Sequence, residues 1–334
     1  MPAAVPPGLV FGNDGDPGIR RLGTRRFRYE TDDGRAVKDG EALARIRALA
    51  VPPAWTEVWI AADPRAHIQA TGRDARGRKQ YRYHDEFRAH RDGAKFEDLV
   101  PFGNALGPLR RQVAKDLTAR GLPLERVVGL VVMLLDDTYI RVGNECYAQE
   151  NGSFGLTTLR KRHVAVNGSR VRLRFVAKHG ARTDVSVEDR RLARLVRRCQ
   201  DLPGQLLFQY EGDDGDIRPV RSGDVNDYLR ARTGLDLTAK TYRTWGASVQ
   251  AAGRLAELPA PESARQGTQE LNAVIDDVAR LLGNTRAVCR RSYIHPIVID
   301  QYLGGSLPAR WEAGPRRAAG GLDPPERRLL EILA

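Results

Sequence analysis

Four short segments carry side chains that could act together on a phosphodiester. Arg141 stands in Tyr139-Ile140-Arg141-Val142-Gly143-Asn144-Glu145, just after an apolar helical run, and Lys178 follows Phe175-Val176-Ala177 at a turn. Arg243 lies in Lys240-Thr241-Tyr242-Arg243-Thr244-Trp245, and Tyr293 in Cys289-Arg290-Arg291-Ser292-Tyr293-Ile294-His295-Pro296. Cleaving such a bond without a metal needs a nucleophile, donors for the charge that builds on the phosphoryl oxygens, and an acid for the leaving alkoxide. A tyrosine can be the nucleophile once neighbouring cations lower its pKa from about 10. Two guanidiniums suit the donor role, because they stay charged and bind oxygen pairs bidentately. A lysine made more acidic by those arginines suits the acid. Taken singly, each residue is weak evidence. An arginine beside a helix end is ordinarily a surface or ion-pairing group, a lysine at a β-turn is ordinarily solvated, and a tyrosine before Ile-His-Pro is more often core.

The rest of the sequence narrows the chemistry. It has no GxxxxGK[ST] loop for ATP, no HExxH and no GxSxG elbow. A mechanism without metal or nucleotide is therefore expected for any action on a phosphate polymer. Fifty-four basic against 42 acidic residues give a net charge of +12. That excess favours a polyanionic partner through counterion release, but leaves RNA and DNA equally open. No stretch approaches the ~20 apolar residues of a membrane span, and no export signal is visible at the N-terminus. Three widely spaced cysteines, Cys146, Cys199 and Cys289, form no CxxC pair, which fits a reducing compartment without structural zinc.

The elements that must position these residues follow from periodicity. At 334 residues, two domains are the natural expectation. Residues 8–90 read as short strands between turns: 26–29, 57–61, and a hairpin of 67–71 and 79–84 with a basic, glycine-bearing tip. The polar interval 88–93 suggests the boundary, giving domains at 1–90 and 91–334. Beyond it, apolar residues at three- and four-residue steps predict helices over 106–119 and 124–135. A three-stranded meander follows at 163–166, 170–176 and 182–187, its first turn marked by Asn167-Gly168. Ser186 with Asp189 has the pattern of a capping box opening a helix to about Cys199. Further helices are expected at 224–232, 244–258, 263–282 and 292–303, a loop over the Gly/Pro/Arg-rich 304–322, and a last helix opened by Asp323-Pro324-Pro325-Glu326. The fold class is thus α+β: a small β-rich N-terminal domain and a larger, mainly helical one containing a three-stranded antiparallel sheet.

Five ordered motifs resemble one family. Arg141 to Glu145, Asn151-Gly152-Ser153-Phe154-Gly155-Leu156-Thr157-Thr158-Leu159, Ala239 to Trp245, and Leu282-Gly283-Asn284-Thr285 with Ser292 to Pro296 look like the poxvirus-type and bacterial type IB DNA topoisomerases. Gly72-Arg73-Asp74-Ala75-Arg76-Gly77-Arg78-Lys79-Gln80-Tyr81 resembles the DNA-contacting hairpin of their N-terminal domain. The likeness runs from about residue 20 to 305. It implies that Tyr293 forms a 3′-phosphotyrosyl link and releases a 5′-hydroxyl, while Arg141 and Arg243 hold the non-bridging oxygens. Lys178 would protonate the leaving 5′ oxygen, although the family usually has glycine where Ala177 precedes it. Asn284 stands nine residues before Tyr293, where many relatives have histidine; an amide can donate a neutral hydrogen bond there but cannot shuttle a proton. Arg73, Arg76, Lys79, Gln80, Tyr81, Tyr83 and Lys240 would contact DNA. The resemblance further implies double-stranded DNA as partner, no cofactor, a monomer, and a cytoplasmic, nucleoid-associated enzyme. Two rivals are weighed against it. Tyrosine recombinases use a similar Arg–Lys–Arg–Tyr set, but generally carry histidine where this chain has Lys240, and lack the hairpin and the Phe-Gly-Leu-Thr-Thr-Leu stretch. The third reading is a non-catalytic basic DNA-binding module.

Overall fold

The computed structural model describes residues 5–24 and 26–334. It is α+β and divides into two compact units, Met1–Ala94 and Lys95–Ala334. In the first unit, β1 (Gly18–Leu22), β2 (Arg28–Thr31), β3 (Thr56–Ala61), β4 (Ile68–Arg73) and β5 (Lys79–Tyr83) form one antiparallel sheet in the order β2-β1-β3-β4-β5. Helix α1 (Gly40–Ala48) is capped by Asp39, and its Ile46 joins Ile19, Val58, Ile60 and Ala70 in a small core. The polar interval 88–93, near which the domain boundary is expected, lies inside helix α2 (Asp85–Glu97).

The second unit is mainly helical. Helices α3 (Leu99–Asp116) and α4 (Leu124–Thr138) are followed by the short α5 (Glu145–Asn151). Strands β6 (Val164–Asn167), β7 (Arg170–Val176) and β8 (Arg182–Glu188) then form the expected meander, and β7 alternates buried Val171, Leu173 and Phe175 with exposed arginines. Period-two alternation with one buried face is what fixes that register. It also carries β8 through Ser186, so Ser186 is a strand residue. The cap of α6 (Arg190–Asp201) is Asp189, whose side chain accepts from the Leu192 N–H at 2.6 Å.

A small hairpin of β9 (Gln209–Glu211) and β10 (Ile217–Pro219) precedes α7 (Ser222–Thr233), α8 (Ala239–Ala256) and α9 (Ala264–Leu282). Helix α8 starts five residues earlier than expected, so Lys240 and Arg243 share its first turns. It packs against α3, α4 and α9 and buries Tyr242, Trp245, Ala247, Ala251, Ala252 and Leu255. Removing such side chains from water contributes ~1.5–3 kcal/mol each for the larger ones, so the helix that carries Arg243 is fixed by the main core. The expected helix over 292–303 is two helices, α10 (Arg286–Ser292) and α11 (Pro296–Leu303), broken by Tyr293-Ile294-His295. Residues 304–322, expected as a loop, contain α12 (Leu307–Ala313), which buries Leu307 and Trp311. The last helix, α13 (Pro324–Leu333), begins where the capping box placed it: the Asp323 N–H donates to Glu326 at 2.9 Å. No helix among the described residues is long and apolar enough to cross a membrane.

Candidate active site

Tyr293 caps the C-terminus of α10, with its N–H on the Cys289 carbonyl at 3.0 Å and a non-helical φ of −133°. Ser248 of α8 ties this break in place. Its hydroxyl donates to the Tyr293 carbonyl at 3.2 Å and accepts from the His295 N–H at 3.0 Å. The half-buried ring faces two cations one helical turn apart on α8: the guanidinium carbon of Arg243 at 5.1 Å and the ammonium of Lys240 at 6.0 Å from its centroid. Burial alone would raise the phenol's pKa. The charges of Arg243, Arg141 and Lys240 outweigh it, and the net shift is downward. Lys240, expected only as a DNA contact, therefore sits against the candidate nucleophile.

Arg243 is 3% exposed. It donates to the Tyr139 carbonyl and, at 2.8 Å, to the Leu282 carbonyl. Burial, reinforced by the Arg141 charge, pushes its pKa down to about 10, which leaves it cationic at neutral pH. Arg141 donates to the Gly283 carbonyl at 3.3 Å and to the Asn284 side-chain oxygen. The last carbonyls of a helix have no intrahelical partner and carry the negative end of its dipole. The C-terminus of α9, turned by Gly283 at φ 61°, thus holds both arginines. Two buried donors remain without partners, Arg243 Nε and Asn284 Nδ2. Orphaned buried donors are costly, and here both belong to residues grouped around one tyrosine.

Lys178 lies at the β7–β8 turn. Its ammonium is exposed and stands 5.8 Å over the Tyr147 ring. The turn borders the arginine cluster: a side chain at Gly283 would meet Arg141 Nη1 at 3.9 Å and Ala181 Cβ at 4.0 Å. A hollow of about 260 Å³ is lined by Arg141, Arg243, Ala177, Ala181 and Gly283. Ala177 needs no glycine-like backbone. Its φ is −90°, and its N–H donates to the Ala181 carbonyl at 2.7 Å. The left-handed positions of this turn fall instead on His179 (φ 64°) and Gly180 (φ 76°).

In the first unit, the β4–β5 hairpin is organised by Asp74. Its carboxylate takes Arg78 at 2.6 Å and the Gln80 amide at 3.0 Å, and Arg78 foremost holds it down to about 2. Lys79 pairs with Asp14 at 2.5 Å, and Arg73 with Glu57 at 2.8 Å. Arg76 is exposed at the tip. Tyr81, 42% exposed, stacks on Tyr83 at 5.9 Å. Six of the seven expected DNA contacts, all but Lys240, therefore sit on one hairpin, several of them within internal polar links. Among the described residues, no group of three or more His, Cys, Asp or Glu side chains could hold a metal ion. The sequence reading did not single out Tyr139, Leu282 or Ser248. The first two act through backbone carbonyls, which leave no residue-type signal; Ser248 is one of several polar residues on α8, and nothing in the sequence sets it apart.

Comparison with known proteins extends these observations. A family model described as the catalytic core of eukaryotic DNA topoisomerase I matches residues 84–303, and one described as the N-terminal domain of bacterial DNA topoisomerase IB matches residues 26–74. DNA topoisomerase 1B of Acanthamoeba polyphaga mimivirus is 31% identical over 284 residues, which cover 83% of this chain and 84% of the viral one. DNA topoisomerase 1B of vaccinia virus (strain Copenhagen) is 20% identical over 232 residues, 69% of this chain and 70% of its own. DNA topoisomerase 1 of Mycosarcoma maydis is 25% identical over 199 residues, 53% of this chain and 19% of that longer protein.

Proposed function

The chain belongs to the type IB DNA topoisomerases, an isomerase family, and on that premise we propose that it relaxes supercoiled duplex DNA through a transient 3′-phosphotyrosyl bond at Tyr293. The phenolate oxygen attacks the scissile phosphorus, and the bond to the 5′ oxygen breaks. The freed strand rotates, and the 5′-hydroxyl then attacks the phosphotyrosyl bond to reseal the strand and regenerate the phenol. The energy of the phosphodiester is kept in the tyrosyl link, so the cycle needs neither ATP nor metal. Arg141 and Arg243 take the non-bridging oxygens, Asn284 adds a neutral donor, and Lys178 supplies the proton to the departing 5′ oxygen.

One observation carries this reading. Three cations converge on a half-buried tyrosine whose pKa they depress, and two buried donors beside it have no partner. A phosphoryl group between Arg243 and Asn284 would satisfy both donors, and developing negative charge there would be stabilised by groups already in place. The N-terminal unit, with Arg73, Arg76, Lys79, Gln80, Tyr81 and Tyr83 on its hairpin, is a DNA-holding module in this reading, and the second unit is catalytic. The enzyme acts as a monomer in the cytoplasm, on nucleoid DNA.

The test is relaxation of a supercoiled plasmid lacking any special site, in EDTA and without nucleotide, followed by capture of the covalent adduct. The expected result is relaxation, with Tyr293 bonded to a DNA 3′ end and a free 5′-hydroxyl. Tyr293→Phe, which removes one oxygen and keeps the ring packed, gives neither relaxation nor adduct. A 5′-linked adduct, or turnover only on paired specific sites, would replace this reading with another phosphotyrosyl chemistry.

A further inference from the structure

Arg243 is anchored on two sides, and the anchors close on each other. On one side its guanidinium donates to the carbonyl of Tyr139, the residue that ends α4 in a left-handed conformation (φ 54°). Three residues upstream, Asp136 receives two hydrogen bonds from Arg110 of α3, at 2.6 and 2.9 Å. Arg110 also donates twice to Glu326, at 2.7 and 2.8 Å. Glu326 in turn accepts from the Trp245 indole N–H at 3.2 Å, and Trp245 is two residues beyond Arg243 on α8. The chain Arg243–Tyr139–Asp136–Arg110–Glu326–Trp245 therefore returns to its start. We propose that Glu326, thirty-three residues after Tyr293 and away from the reacting atoms, is a positioning residue that holds Arg243 against Tyr293 through this closed chain.

The surroundings of Glu326 are built for fixed geometry. Its side chain is 11% exposed, that of Asp136 15% and that of Arg110 30%. Its second oxygen is also held by the Asp323 N–H at 2.9 Å, at a helix start stiffened by Pro324 and Pro325. The Gly321 carbonyl accepts from Arg110 at 2.8 Å. Helix α3 admits this segment only because residue 107 is glycine: a Cβ there would lie 1.7 Å from the Gly320 carbonyl oxygen. Likewise a Cβ on Gly103 would lie 2.6 Å from the Trp245 ring. Stability alone does not call for charge at this place, since well-packed apolar residues serve as well as or better than a buried ion pair. What paired carboxylate–guanidinium contacts supply is defined direction. That direction matters where a displacement of about 1 Å, made far from the chemistry, can slow a reaction ~10²-fold.

This inference rests on the proposed tyrosyl chemistry, and the experiment separates the two. Single-turnover cleavage of a suicide duplex is followed for the native enzyme, Glu326→Gln, Trp245→Phe and the double variant, with DNA affinity measured in parallel. Glutamine keeps the volume and removes the charge; phenylalanine keeps one aromatic ring and removes the N–H with the rest of the indole, so its rate constant is read on the fraction that remains folded. Glu326→Gln cleaves about tenfold more slowly, and Trp245→Phe is slowed in the same sense. The double variant is within about twofold of the slower single, because both open one link. Affinity is unchanged, and a bridging sulfur at the 5′ position does not restore the rate. If Glu326→Gln fails to fold, Trp245→Phe carries the same expectation. Native-rate cleavage by the folded variants overturns the inference, as does multiplicative loss in the double variant. So does a lower yield of adduct at an unchanged rate constant, the signature of a merely structural role. A native enzyme that forms no tyrosyl adduct overturns the proposed function itself.

Discussion

The guanidinium carbon of Arg243 stands 5.1 Å from the centroid of the Tyr293 ring, while two of its nitrogens donate to the carbonyls of Tyr139 and Leu282. Both partners are neutral. They fix the side chain and leave its charge uncancelled, in a place where burial already works against that charge. A cation held this way is stabilised when an anion arrives, and the nearest group able to become one is the Tyr293 phenol. The same pairing lowers the pKa of the Tyr293 phenol and, under the proposed function, would favour the phosphoryl oxygens once DNA binds.

Alanine at Arg141 or Arg243 should slow single-turnover cleavage by ~10²–10³, the scale for losing one preorganised donor to a developing oxyanion. Lysine should rescue Arg141 in part, since its head group can reach the phosphate as a point charge. Rescue should be poorer at Arg243, where lysine must satisfy two carbonyls that now take separate nitrogens. Full restoration by lysine at both sites would mean that charge suffices and the paired geometry does not matter.

Gly246→Ala should act on Arg243 from a residue that touches no phosphate. A Cβ at 246 would lie 2.2 Å from the Tyr139 ring, so Tyr139 would have to move, and its carbonyl is one of the two that hold Arg243. Forcing one extra carbon into a packed site costs typically ~1–3 kcal/mol. The expected outcome is a lower melting temperature together with slower cleavage by the fraction that remains folded. A melting shift with an unchanged cleavage rate constant would show that the Tyr139 carbonyl is not needed to hold Arg243.

Asp137 offers a test of electrostatics independent of catalysis. Burial, with the neighbouring Asp136 charge, raises its carboxyl to about 6, above the ordinary 3.8. A folded-state pKa above the unfolded value means that the native form holds the proton more tightly. The ionised group therefore opposes folding increasingly as pH rises from about 4 to 6, and by a constant amount above that. Because the residue also reaches solvent, the effect is discounted to about 1 kcal/mol. Asp137→Asn should accordingly stabilise the protein at pH 8, raising the melting temperature by about 2–4 °C, and change little at pH 4. Equal effects at the two pH values would point to a packing change instead.

Much of the fold was legible because its signals are local. Asn167-Gly168 announced the first turn of the meander, the glycine-bearing hairpin tip announced β5 as the return strand over 79–84, and Asp323 with Glu326 announced the last helix. Where a local signal competed with tertiary context, context won. Ser186 has the chemistry of a cap, but Val185 and Val187 keep it in a strand. Leu307 and Trp311 find buried places that turn a Gly/Pro/Arg-rich stretch into α12. The candidate site was legible through resemblance more than through periodicity, since its members come from five separate segments. Lys240 was seen as a DNA contact, and its place over Tyr293 required knowing that α8 begins at Ala239, which puts positions 240 and 243 on one face. The Arg110–Glu326 contact spans 216 residues and left no trace in the sequence pattern.

Lys178 is the member whose role the geometry leaves most open to experiment. Its ammonium stands over Tyr147, at an exposed turn whose other members border Arg141 and Gly283. A long side chain at such a turn can swing to the leaving oxygen once DNA is bound. Expelling an alkoxide from a nucleotide 5′ carbon at neutral pH requires a proton in the transition state, so Lys178→Ala should cleave slowly. Replacing the bridging 5′ oxygen by sulfur gives a leaving group that is stable as an anion and needs no acid. That substitution should restore cleavage to Lys178→Ala and do little for Arg243→Ala, because in the proposed function Arg243 serves the non-bridging oxygens, whose charge the swap does not change. Ala177 holds ordinary extended backbone at φ −90°, so Ala177→Gly should leave both results as they are. Equal rescue of the two variants, or of neither, would remove Lys178 from the acid's role, and the proton would have to come from another cation near the site, with Lys240, 6.0 Å from the Tyr293 ring, the first to test.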